Sequence, residues 1–208
     1  DGVFLAKAEQ LIRRCIHPAE NIDDRNLAFI EYRWFYTMFL QSLGKYLRYK
    51  EHLGQVDTMH SYARASLLHY ARWMSQHEYV YLTKPEVLEH PTETWAAQEM
   101  RKSEVLQLAA YYSTDSSDRA RFLERSELFF NSSIDGLEAR PTRSLCRPVA
   151  VLMGTGWQQA WFHHYPDARP QLPAADASQD FGLPLAFTPQ RTIAVRRATL
   201  LGGVLLIA

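Results

Sequence analysis

The chain has 208 residues, 47% of them hydrophobic and 12% aromatic, which is enough for one domain or slightly more with a real core. Its 23 basic and 23 acidic residues leave a formal net charge of +0, against the basic surplus that a nucleic-acid-binding domain carries. The two cysteines, Cys15 and Cys146, define neither a disulfide framework nor a cysteine-based zinc site.

Apolar residues recur at helical spacing almost throughout residues 1–165, and no strand-like alternation interrupts them. The spacing predicts six helices. The first covers Val3–Ile16 and stops ahead of His17-Pro18. The second runs from Asp24 to Lys50, entered through "NIDDRN", a cap signal. The third covers Met59–His77, the fourth Thr92–Ser113, the fifth Ser116–Ile134 and the sixth Ser144–Tyr165. Residues 166–191 are proline-rich and read as a linker or surface wrap. Residues 192–208 form an apolar tail. Its uncharged part, Ala198–Ala208, is shorter than the roughly 20 residues a bilayer crossing needs. It reads as the start of a membrane segment, as a strand, or as an apolar tail docked on the domain. In the first case Arg196 and Arg197 mark the cytoplasmic side, and the helical domain is cytoplasmic and membrane-associated. The chain opens at Asp1 inside a helical pattern and ends in an apolar run, so a piece of a longer protein, or a processed one, is expected.

The helices alternate in character. The second, fourth and sixth are apolar on more than one face, and the first, third and fifth are amphipathic. The fifth is the plainest case, with Phe122, Leu123, Phe129 and Phe130 set against Arg119, Arg121, Glu124, Arg125 and Glu127. Alternation of this kind predicts an all-α fold of antiparallel helical hairpins forming part of an α/α toroid, with the apolar helices inside. The inner helices then run parallel, and their N-terminal loops meet at one mouth. Those loops, "HPAENIDDRN", "EYVYLTKPEVLEHPTET" and "DGLEARPTRS", are rich in charged and aromatic residues, as a functional face would be.

The candidate site residues lie on that mouth. Glu93, in the first turn of the fourth helix, and Asp24, at the start of the second, are the candidate catalytic carboxylates. Glycosyl chemistry commonly uses a pair of them. The competing reading is simple: an acidic first turn is favoured by the helix dipole, and Thr92 or Thr94 is an ordinary cap. Trp95 is placed to stack on a sugar ring or to pack on the preceding loop. His90 lies just outside the helix. Thr94, Gln98 and Arg101, at spacings of four and three, share one helix face. Arg140, Arg143 and Arg147, ahead of the sixth helix, either suit bidentate contact with a uronate or a phosphate or pair with Glu138 and Asp135 on the surface. No H-E-x-x-H, Gly-rich phosphate loop or G-x-S-x-G occurs, and His163 and His164 point about 100° apart on a helix, so no metal and no cofactor is expected.

The helix alternation, the "HPTETW" helix entry and the later entry at Arg147-Pro148 resemble carbohydrate-active proteins of the six-hairpin (α/α)6-toroid type. That group includes glycoside hydrolases, polysaccharide lyases and epimerases of the N-acylglucosamine 2-epimerase kind. The resemblance covers about residues 1–165, roughly the last three hairpins of such a toroid. It implies a carbohydrate-processing enzyme, or its C-terminal portion, with a saccharide ligand of anionic character at the mouth. The alternative is a non-catalytic helical module that binds another protein and is tethered to a membrane through residues 198–208.

Overall fold

The computed structural model of the chain describes residues 2–140, 146–172, 179–185, 195, 196 and 199. The chain forms two compact units, one carrying α1 (Gly2–Cys15) and the described residues from Gly182 onward, the other Pro18–Phe181. In the first unit the His17 ring nitrogen Nε2 lies 3.0 Å from the Gly182 carbonyl oxygen. The fold is all-α.

In the second unit the predicted second helix is broken. Asn21 accepts the Asp23 N–H and starts a short 3₁₀ turn over Ile22–Arg25, which Asn26 ends in the left-handed conformation at φ 52°. A single helical turn, α2 (Ile30–Arg33), and then α3 (Tyr36–His52) follow. No glycine or proline marks these breaks. They come from packing: Ile30 is drawn into a cluster with Tyr81, Leu88 and Trp95, while Phe29 and Tyr32 stack on each other at the surface. Asp57 caps α4 (Thr58–His77) by accepting the His60 N–H at 3.0 Å. Two 3₁₀ turns, Tyr81–Thr83 and Pro85–Val87, lead to α5 (Glu93–Tyr112). Asp115 caps α6 (Ser116–Glu138) through the Asp118 N–H at 2.7 Å. The last helix, α7, is Cys146–His164.

The inner and outer layers are not shared out as the alternation predicts. Only α5 is enclosed: 16 of its 20 residues are buried, because α3, α4, α6 and α7 all pack on it. In α3, expected inside, 8 of 17 residues are buried, and in α4, expected outside, 10 of 20. For α7, also expected inside, the figure is 5 of 19, close to the 5 of 23 in amphipathic α6. A row at four-residue spacing along α7, Val149, Met153, Trp157 and Trp161, is exposed. Apolar content therefore does not rank these helices by burial. The one enclosed helix, α5, is the one on which four others pack.

Glycines set two of the closest approaches to α5. A Cβ on Gly44 of α3 would lie 2.4 Å from Leu108 Cδ1, and one on Gly136 of α6 would lie 2.9 Å from Ala96 Cβ. α6 runs past Ile134, where the sequence pattern stops, and Gly136 lies in that added turn as a contact point with α5. Among the described residues no helix is long and apolar enough to cross a membrane. The tail 198–208 lies, apart from Thr199, outside the described residues.

Candidate functional site

A cavity of about 510 Å³ opens at the N-terminal end of α5. The first two turns of that helix contribute Thr94, Trp95 and Gln98, and the next turn adds Arg101. His90 and Thr92 come from the entry loop, and Arg147 from the first turn of α7. The wall opposite holds Glu31, Trp34 and Met38, from α2 and the start of α3. The helix face predicted for Thr94, Gln98 and Arg101 is thus the face that lines the cavity.

Arg101 is half-buried and held from behind. Its Nη1 donates to Gln41 Oε1 at 2.9 Å, and Gln41 Nε2 in turn donates to Glu104 Oε2. Gln158 Nε2 donates to the other Glu104 oxygen at 2.9 Å. Burial pushes the Glu104 carboxyl up, with these amide hydrogen bonds and the charges of Lys45 and Arg101 opposing. Burial draws the Arg101 guanidinium down, and Glu104 works against that. The chain from Glu104 through Gln41 fixes where the guanidinium points. Arg101 Nε and Gln98 Oε1 have no hydrogen-bond partner, although both are enclosed and Gln98 is only 5% exposed. Buried polar groups are nearly always paired, and these two orphans share one cavity wall, while others such as Ser66 Oγ and Gln158 Oε1 lie away from it.

Trp95 is committed to packing. Its indole N–H donates to the His90 carbonyl at 2.9 Å, and its ring meets Tyr81 edge-on with centroids 5.5 Å apart. It forms a wall and ties down the loop that carries His90, while the less buried Trp34 is the second aromatic of the cavity. Glu31 Oε1 accepts the Glu89 N–H at 2.6 Å.

The two candidate catalytic carboxylates are elsewhere. Glu93 occupies the first turn of α5 but does not line the cavity, and Thr92 makes no side-chain cap bond there. Asp24 is exposed on the separate 3₁₀ turn and accepts from Asn21 Nδ2 at 3.2 Å. The expected convergence of helix starts fails for Asp24 because the left-handed Asn26 separates its turn from α3. Among the described residues Glu31 is the carboxylate of the cavity wall, so no carboxylate pair flanks it. Arg143 lies outside the described residues. Sequence reasoning missed Glu31, Trp34 and Met38. Their spacings of three and four were the available signal, since they put the three on one helical face.

A second cavity, of about 550 Å³, sits at the other end of α5 and is lined by Arg64 and Arg119. These arginines are already engaged. Arg64 donates Nε and Nη2 to the Tyr112 carbonyl at 3.0 and 2.8 Å, and Arg119 donates to the carbonyls of Ala110 and Pro166. They close the carbonyls that a helix C-terminus leaves open.

A charged cluster also lies in the core. Lys102 Nζ, fully enclosed, is 2.9 Å from Glu99 Oε2 and 3.1 Å from Glu78 Oε2, and donates to the Tyr79 carbonyl at 2.6 Å. Tyr36 donates to Glu78 Oε1 at 2.6 Å, and the Tyr81 N–H donates to Glu99 Oε1 at 2.8 Å. Two carboxylates share one ammonium, and burial pushes the Glu99 carboxyl up to about 7, Lys102 opposing. None of the three lines either cavity, so the cluster joins α4, the entry loop and α5 from within. Among the described residues no group of three or more His, Cys, Asp or Glu is placed to hold a metal ion. No family model, curated protein or solved structure matches the chain.

Proposed function

We propose that this chain is the ligand-binding portion of a carbohydrate-processing protein of the α/α-toroid kind, and that it takes an anionic saccharide in the cavity at the N-terminal end of α5. One observation carries the reading. His90, Trp95, Gln98, Arg101 and Arg147, each singled out in the sequence as a saccharide contact, line a single cavity. Among the described residues two arginines line it against one acidic residue, Glu31, which favours an anionic ligand. The described residues place no carboxylate pair on the cavity, which favours binding over glycoside hydrolysis by this part of the chain. Calorimetric titration of the full chain with D-glucuronate, D-gluconate and D-glucose tests the reading. The acids bind and glucose does not, and Arg101→Met or Arg147→Met weakens the acids about tenfold or more, the worth of a charge-assisted hydrogen bond. Equal binding of glucose and the acids, or no binding of any sugar, removes the proposal.

The exposed row Val149, Met153, Trp157 and Trp161 supports a second reading, a helical module that binds another protein. A pull-down with the Met153→Glu/Trp157→Glu double variant tests it: a partner retained by the double variant excludes this face.

A further inference from the structure

We infer that the ligand of the α5 cavity is a 2-hydroxy acid, recognised by the free amide of Gln98 beside the guanidinium of Arg101; this rests on the cavity being the binding site proposed above. Gln98 is almost wholly buried, lines the cavity and has no hydrogen-bond partner at Oε1. Gln41 bridges Arg101 and Glu104, and Gln158 donates to Glu104 although its Oε1 also lacks a partner. Gln98 is the one of these three that lines the cavity. The terminal torsion of a glutamine is soft, so it can turn either end toward a ligand at little cost.

An amide offers a donor and an acceptor side by side. Its complement is a group with an acceptor and a donor on adjacent positions. A carboxylate carrying a hydroxyl on the neighbouring carbon has that pattern. The carboxylate accepts from Gln98 Nε2 and from Arg101, whose Nε is also without a partner, and the hydroxyl donates to Gln98 Oε1. Arg147 supplies the second positive charge. A phosphate monoester ionised at neutral pH has no such donor and leaves Oε1 unpaired. A pyranose uronate presents its ring oxygen, an acceptor, beside the carboxylate, and fails in the same way. Among sugar acids this selects the open-chain aldonate type.

The experiment compares ligand pairs that differ only in that hydroxyl, by NMR titration of the full chain: D-gluconate against its 2-deoxy analogue, and L-lactate against propionate. The hydroxylated member of each pair binds about fivefold more tightly, the worth of one neutral hydrogen bond. In Gln98→Met, which keeps the volume and loses the amide, the ratio falls to near one while the carboxylates still bind. Equal binding within each pair by the unaltered chain overturns the inference, and it does so without any variant. A preference that persists undiminished in Gln98→Met overturns it as well. If sugar acids bind with no preference for the hydroxyl, this inference fails and the saccharide reading stands. If lactate is preferred over propionate and no sugar acid binds, the saccharide reading fails and the hydroxy-acid inference stands. If no acid binds, both fail.

Discussion

Replacing Lys102 by methionine keeps the stem of the side chain and deletes its ammonium. In the native fold that ammonium is fully enclosed, lies 2.9 and 3.1 Å from the carboxylates of Glu99 and Glu78, and sits 3.2 Å from the centroid of the Tyr81 ring. Its removal leaves two carboxylates in the core without their cation. Breaking a buried ion pair from one side costs about 3–5 kcal/mol. For a chain of this size each kcal/mol lowers the melting temperature by roughly 2–4 °C, so Lys102→Met falls by roughly 6–20 °C. Urea unfolding followed by circular dichroism measures the loss, with the slope of the transition checked for constancy. The loss shrinks as the pH drops, because the stranded carboxylates take up protons. The triple variant Glu78→Gln/Glu99→Gln/Lys102→Met recovers most of the stability. It is neutral, and its amide oxygens still accept from Tyr36 O–H and the Tyr81 N–H. A loss below about 1 kcal/mol for Lys102→Met, the size of an exposed pair, refutes the buried-cluster reasoning. So does a triple variant no more stable than the single one.

The Glu99 carboxyl, raised from 4.5 in the unfolded chain to about 7 in the fold, holds a proton that unfolding releases. For this group stability is highest below pH 4.5 and falls as pH rises through 7, by about 3 kcal/mol in all. Glu99→Gln flattens that slope, and melting temperatures between about pH 5 and 8 show whether it does. At the contact between α5 and α6, Gly136→Ala brings a methyl to 2.9 Å from Ala96 Cβ and costs about 1–3 kcal/mol by overpacking. Adding Ala96→Gly restores part of it, and a double variant no better than Gly136→Ala contradicts the close approach. Asp57→Ala removes the cap of α4, whose carboxylate also lies 2.5 Å from Lys50 Nζ, and costs about 1–2 kcal/mol in denaturant titration.

Much of the site was legible before the fold. Thr94, Gln98 and Arg101 are three and four residues apart, and that spacing alone puts them on one face of a helix. Arg147 was legible as a helix-entry arginine, though nothing in the sequence sets the distance between α7 and α5. Glu93 does not line the cavity; the same residue type serves a helix dipole and a catalytic mouth, and only its neighbours distinguish the two. Asp24 misled because the left-handed turn at Asn26 detaches it from α3.

Local chemistry by itself fixed where most helices begin and end. Asp57 and Asp115 cap α4 and α6 through N–H groups three residues on, and the helical repeat of apolar residues carries the rest. Those are short-range interactions, written in neighbouring residues. Which helix is enclosed was decided only by tertiary packing. α7 is as apolar as an inner helix needs, yet it keeps an exposed row, and among the described helices its extensive contact is with α5. α5, with Glu99, Lys102 and Glu104 along it, is the buried helix, because its charges find partners on α3, on α7 and in the entry loop. Sequence periodicity reports how apolar a face is. It does not report how many surfaces will meet it, or whether a buried charge will find its counterpart from sixty residues away.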